Sequence, residues 1–238
     1  MTKLSAITLD STIAKYVTDS LDRIRRHPFI RNSSVGNLSE DQAKRWIMCA
    51  GRESRSFPDI LQNLISWSSN ERIKIILRRN LADEEGHGVP EHAHFMHYLQ
   101  LLDKIGVSRD EFYTYSERVG IKLAVSLGYN ISALRNEAPA IGYMLVNESM
   151  TSITYAAAKS AITIYYPELK TEFFDIHVDV DERHVDELYE AVYELDSSQI
   201  DDLLFGIDIG ERGMAVLLDE AYGIFEHYEV IPAYTTDI

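Results

Sequence analysis

A single cysteine, Cys49, in 238 residues rules out an intrachain disulfide and any zinc site built on several cysteines. It follows Trp46-Ile47-Met48 and reads as a small core residue, not a nucleophile. Long apolar runs are missing too: none approaches the roughly 20 residues of a membrane span. The opening Met1-Thr2-Lys3-Leu4-Ser5-Ala6 lacks the apolar stretch of a secretory leader, so a reducing cytoplasm is the expected compartment. Positive charge is in deficit, with 23 basic against 38 acidic residues and a net charge of −15. That deficit speaks against nucleic acid and against anionic membranes as partners, since both select for Lys and Arg patches. Hairpin signals, internal repeats, low-complexity stretches and linkers are absent as well.

What is present is helical periodicity in a composition, 45% apolar and 26% charged, of an ordinary globular protein. Ile13, Tyr16, Val17, Leu21 and Ile24 mark the apolar face of a first helix that ends near His27-Pro28. Ser39 with Gln42 forms a capping box for a second, which Pro58 is expected to kink or restart. A third runs from about Asn70 to Glu85, ended by Gly86 and Gly88, and Pro90 opens a fourth that reaches Ile105-Gly106. Ser108 with Glu111 caps another, whereas Ser116 to Ala138 looks irregular because Gly120, Gly128 and Asn130 interrupt it. Pro139 opens a long helix to Tyr165, a further one ends near Leu195, and the last runs from Ser197 towards His227. The pattern predicts one all-α domain over residues 1–238, a bundle of seven or eight helices, with 232–238 as a loose tail.

Histidine is concentrated. Six of the eight histidines fall in two segments, Asn80 to His97 and His177 to His184. In the second, His177, Asp181 and His184 lie four and three residues apart, so at about 3.6 residues per turn they share one helix face. Two imidazoles and a carboxylate suit Fe(II), Mn(II) or Zn(II). Glu148 stands alone in the apolar run Ala140 to Met150, and a buried carboxylate is costly without a cation or partner. Two imidazole-and-carboxylate clusters plus a carboxylate inside a helix suggest a metal site in a helical core, with donors enough for two ions.

One way to assemble these residues is a ferritin-like set: Asp59, Glu84-x-x-His87, Glu148 and Asp181-x-x-His184. It leaves His177 without a role and places His87 between two glycines, in a turn. A second arrangement uses Asn80-Leu81-Ala82-Asp83-Glu84, then His94 after the Gly-containing turn, then Glu148, then His177/Asp181/His184. With this order and spacing, and with Phe57-Pro58 upstream, the chain resembles the haem-oxygenase-like di-iron oxidase and oxygenase family across most of its length. Within the turn, His92 or His87 could replace His94, and Glu85 could replace Glu84.

The resemblance implies a haem-oxygenase-like fold and two iron ions held by Glu84, His94, Glu148, His177, Asp181 and His184, with Glu148 as the bridge. It implies O2 as co-substrate, a small-molecule substrate and an external electron donor, and the expected assembly is a homodimer. The position where some relatives carry a sacrificial tyrosine falls near Ile30, which points to a substrate supplied from outside the chain. Relatives act on fatty acids, amino acids and guanidines. The resemblance reaches furthest towards nitrile-forming members that process tryptophan-type amino acids by N-oxidation and C–C cleavage. Other expectations left open are a fatty-acid decarboxylase or desaturase of the same family, a ferritin-like iron-binding protein, and a metal-free hydrolase or interaction module.

Overall fold

Helix ends follow local chemistry through much of the chain. The computed structural model describes residues 6–170 and 172–224, apart from the side chains of residues 6–10, 172 and 175–182. Helix α1 (Ala6–Arg25) turns at His27, whose ring caps α2 (Pro28–Ser34) by accepting from the Phe29 amide. The Ser39/Gln42 capping box opens α3 (Glu40–Trp67), and Asn70 caps α4 (Glu71–Glu84). Then follow α5 (His94–Lys104), α6 (Arg109–Thr114), α7 (Val119–Ala133), α8 (Glu137–Tyr165), α9 (Glu172–Val192) and α10 (Ile200–Tyr222). Gly223 ends α10 with a left-handed φ of 96°.

These ten α-helices and short 3-10 turns make up the ordered structure of the described residues, an all-α architecture. The two beyond the eight that the sequence marks are α2 and α7. Central α8 packs against α10, α9, α3, α1 and α2, and α4 lies between α3 and α9. The core is built on fully buried Trp46, Phe29, Tyr98, Phe112 and Phe174. No described helix is long and apolar enough to cross a membrane.

Four boundaries correct the sequence reading. Helix α3 does not restart at Pro58 but runs unbroken through it, with buried Trp46 and Ile47 before it and Ile60, Leu61 and Leu64 after it anchoring both halves in the core. Pro90 opens only a single 3-10 turn, Pro90–His92, and the next helix starts at His94. The chain is still reversing there, with Gly86, His87 and Gly88 at φ 69°, 54° and 81°. Residues 119–133 form a regular helix despite their glycines. A Cβ on Gly128 would lie 2.7 Å from the Tyr143 hydroxyl, so that glycine permits close packing on α8. Finally, Ser197–Gln199 is a 3-10 turn capped by Asp196, and α10 starts at Ile200. The 232–238 tail and His227 lie outside the described residues.

Candidate metal centre

The core-facing stripe of α4 is Ile73, Ile76, Leu77, Asn80, Asp83 and Glu84, apolar for two turns and then polar. Its three polar residues reach three different helices. Asn80 Nδ2 donates to Glu148 Oε1 on α8 at 2.7 Å. Asp83 Oδ2 meets His184 Nε2 on α9 at 2.9 Å. Glu84 Oε1 meets His94 Nδ1, the first residue of α5, at 3.1 Å. The Glu148 carboxylate closes the ring, with Oε2 lying 3.4 Å from His184 Nδ1. His94, Glu148 and His184 are 4%, 6% and 1% exposed.

The structure thus brings together Glu84, His94, Glu148 and His184 of the expected ligand set. His177 and Asp181 lie on α9, but their side chains are outside the described ones. The alternatives in the turn sit elsewhere. His92 is exposed, His87 is exposed on the outer oxygen of Asp83 at 2.7 Å, and Glu85 is an exposed acceptor for Gln62. The ferritin-like grouping is not assembled either, since Asp59 is exposed and bonded to Tyr129.

Among the described residues no three His, Cys, Asp or Glu side chains converge in a geometry that would hold a metal ion. The donors stand instead in carboxylate–imidazole pairs, Glu84 with His94 and Glu148 with His184. Each pair sets an oxygen donor beside a nitrogen donor. Two carboxylates and two imidazoles, buried and drawn from four helices, are hard-oxygen and borderline-nitrogen donors of the kind Fe(II) takes. The residues therefore fit iron.

The electrostatics of the cluster act on His94 and Asp83. Burial alone would push the His94 imidazole down, but the charge and hydrogen bond of Glu84 and the charge of Glu148 hold it above its ordinary value. Burial raises Asp83 likewise. The His184 hydrogen bond and the charges of Arg183 and His184 outweigh it and keep that carboxyl below the usual range. Arg183 reaches Asp83 from the half-exposed outer side at 2.5 Å. Asp83 is therefore an anion that fixes the ring orientation of His184, the support that metal-bound histidines usually have.

Beside the four donors is a cavity of about 60 Å³ lined by Glu53, Ser54 and Phe57 of α3, Glu84 of α4, Asn147, Glu148, Thr151 and Tyr155 of α8, and Met214 of α10. Glu53 was not among the residues singled out from the sequence. Its carboxyl is pushed up to about 7, first by burial and then by the charge of Glu148. The signal was present: Glu53 and Ser54 fall between Ala50 and Phe57 on the apolar stripe of α3, where a carboxylate needs a reason. Asn80 and Asp83 were visible only as parts of a motif, without roles.

Residues 53–210 match the family described as iron-containing redox enzyme, a span that includes every donor named above. Solved structures of similar shape share the fold. A domain of unknown function with a heme oxygenase-like fold from Shewanella denitrificans is 16% identical, with 94% of this chain and 95% of that one covered at a TM-score of 0.73. A TenA homolog from Pseudomonas syringae is 12% identical over 90% of this chain and 92% of its own, also at 0.73. A putative TenA-like thiaminase from Sulfolobus solfataricus is 15% identical over 92% and 96%, at 0.62. No curated protein is similar in sequence to this chain.

Proposed function

Since the chain belongs to the family of iron-containing redox enzymes, we propose that it is an O2-dependent non-haem di-iron oxygenase acting on a small amino-acid-type substrate. One observation carries the reading: Glu84, His94, Glu148 and His184, from four helices, meet in the core beside a cavity that two of them line. With His177 and Asp181 they make up a six-residue set, Glu148 bridging. Bound iron would supply the redox chemistry, binding O2 and passing electrons to it.

The chain's own residues do the rest. The proton in the hydrogen bond between His94 Nδ1 and Glu84 Oε1 would give way to iron held by that pair, so metal uptake would release protons. Asn80 holds one oxygen of Glu148 and Asp83 holds the far nitrogen of His184, which leaves the remaining Glu148 oxygen and His184 Nδ1 turned towards each other. Phe57, Tyr155 and Met214 keep water off that space. At about 60 Å³ the cavity takes a small head group, since about 10–15 Å³ is enough to hold one water. A larger side chain enters only if that apolar wall moves.

The substrate we favour is a tryptophan-type amino acid converted to a nitrile by N-oxidation and C–C cleavage. Its support is the family resemblance and the aromatic layer behind Tyr155, where Trp46, Phe173 and Phe174 lie within 5.1 to 6.1 Å of its ring centroid. The reading also takes an external electron donor and a homodimer, for which half-exposed Val119 and Leu123 of α7, with Leu134 just past its end, offer an apolar surface. A thiol hydrolase is disfavoured. Cys49 is fully buried, and burial first and the Glu220 charge second push its thiol up, away from the reactive thiolate. The test is mass spectrometry of products after the Fe(II)-loaded protein meets O2 and a panel of amino acids and fatty acids. The reading expects an oxidised amino-acid product; fatty-acid products, or none, contradict it.

A further inference from the structure

Glu53 differs from the other carboxylates of the core. Glu84 and Glu148 are each paired with an imidazole, whereas Glu53 makes no hydrogen bond or ion pair among the described residues. It nevertheless lines the cavity, together with Ser54 of α3 and Asn147 and Thr151 of α8 between apolar side chains. Two of these polar residues already donate inwards to backbone carbonyls. Asn147 Nδ2 donates to the Tyr143 carbonyl at 2.8 Å, which fixes its amide with Oδ1 left as an acceptor. The Thr151 hydroxyl donates to the Asn147 carbonyl at 3.2 Å, leaving its lone pairs. No Arg, Lys or His lines the cavity among the described residues.

Such a lining offers an unpaired carboxylate and several acceptor oxygens, with no cation among its own described side chains. The Glu53 charge disfavours a substrate carboxylate beside it, and the set matches a group with several N–H donors and positive charge. Resting on the oxygenase reading of this site, we propose that Glu53 binds the ammonium group of the substrate, with Asn147 Oδ1 and Thr151 Oγ1 as further acceptors. The substrate class is thereby an amine, and an α-amino acid is recognised through its nitrogen. A cation at Glu53 also relieves its repulsion against Glu148, across the same small space. Glu53 is a binding residue in this account and not a metal ligand.

The experiment is anaerobic calorimetry of the full-length, Fe(II)-loaded protein with butylamine, 2-phenylethylamine and tryptamine, and with pentanoate, 3-phenylpropionate and 3-indolepropionate. Iron content is measured on the same samples. The wild type is expected to bind at least one amine and to bind its carboxylate counterpart at least about tenfold more weakly. Glu53→Gln is expected to weaken the amine by about tenfold or more with iron content unchanged. Should that variant not fold, Glu53→Asp keeps the charge but shortens the reach, and it is expected to lower amine affinity at constant iron. Three results overturn the proposal: no amine binds, amine affinity survives Glu53→Gln, or iron falls with the substitution, which makes Glu53 a ligand. The oxygenase reading fails separately. A protein that binds amines through Glu53 but yields no oxidised product keeps the binding role and loses the reaction.

Discussion

Asp83 touches the exposed Arg183 and His87 on one side and buried His184 on the other, and it stays ionised between them. Its removal should loosen His184 without taking away a donor. Asp83→Asn is expected to weaken iron binding by roughly 10- to 100-fold, read by competition with a chelator, while the fold is kept. Unchanged affinity would leave Asp83 with a surface role only. His94→Ala should abolish both iron retention and turnover, whereas His92→Ala and His87→Ala, at exposed positions, should be mild. Glu53 supplies a pH signature. Its folded carboxyl is raised from 4.5 to about 7, so the metal-free folded state holds a proton there that the unfolded chain has lost. That contribution is fully present below 4.5 and disappears as pH rises through about 7. Glu53→Gln should therefore flatten this decline in chemical denaturation of the metal-free protein between those limits.

At the scale of elements, the tightest contact is between α8 and α10. A Cβ on Gly142 would strike the Leu203 carbonyl, and one on Gly206 would strike the Pro139 carbonyl, so the two helices meet backbone to backbone. Gly142→Ala or Gly206→Ala must push them apart, and each is expected to cost about 1–3 kcal/mol of stability by denaturant titration. Most helix boundaries were legible because their caps are local: Ser39 with Gln42, Asn70, Ser108 and Gly86 each act within four residues. Helix α7 was not. Its cap is Glu220 of α10, buried, which accepts from the Arg118 amide at 2.9 Å and the Ile121 amide at 2.7 Å across about a hundred residues of sequence. No periodicity within 116–138 could announce a partner that distant. Glu220→Gln should accordingly speed amide exchange at the first turn of α7 before it affects α8; uniform exchange across both would argue against the cap.

At the scale of the molecule, α4, α5, α8 and α9 deliver one buried donor each to the same part of the core. Glu148 could be read from sequence because it interrupts an apolar run, and His184 because it shares a helix face with His177 and Asp181, whereas Glu84 rested on the resemblance of Asn80-Leu81-Ala82-Asp83-Glu84 to a family motif. The choice of His94 over His92 depended on a reversal at Gly86-His87-Gly88, and burial separates the two only in three dimensions. Glu53 escaped notice because its meaning lies in a cavity shared by four helices. The central claim is that these donors form a di-iron centre, and anaerobic Fe(II) titration with metal analysis after desalting tests it most directly. The account expects saturation near two irons per chain for the wild type, with Glu148→Gln disturbing both positions because it bridges them. A wild-type chain that binds no iron, or one that still holds about two irons after Glu148→Gln and His184→Ala, would contradict it.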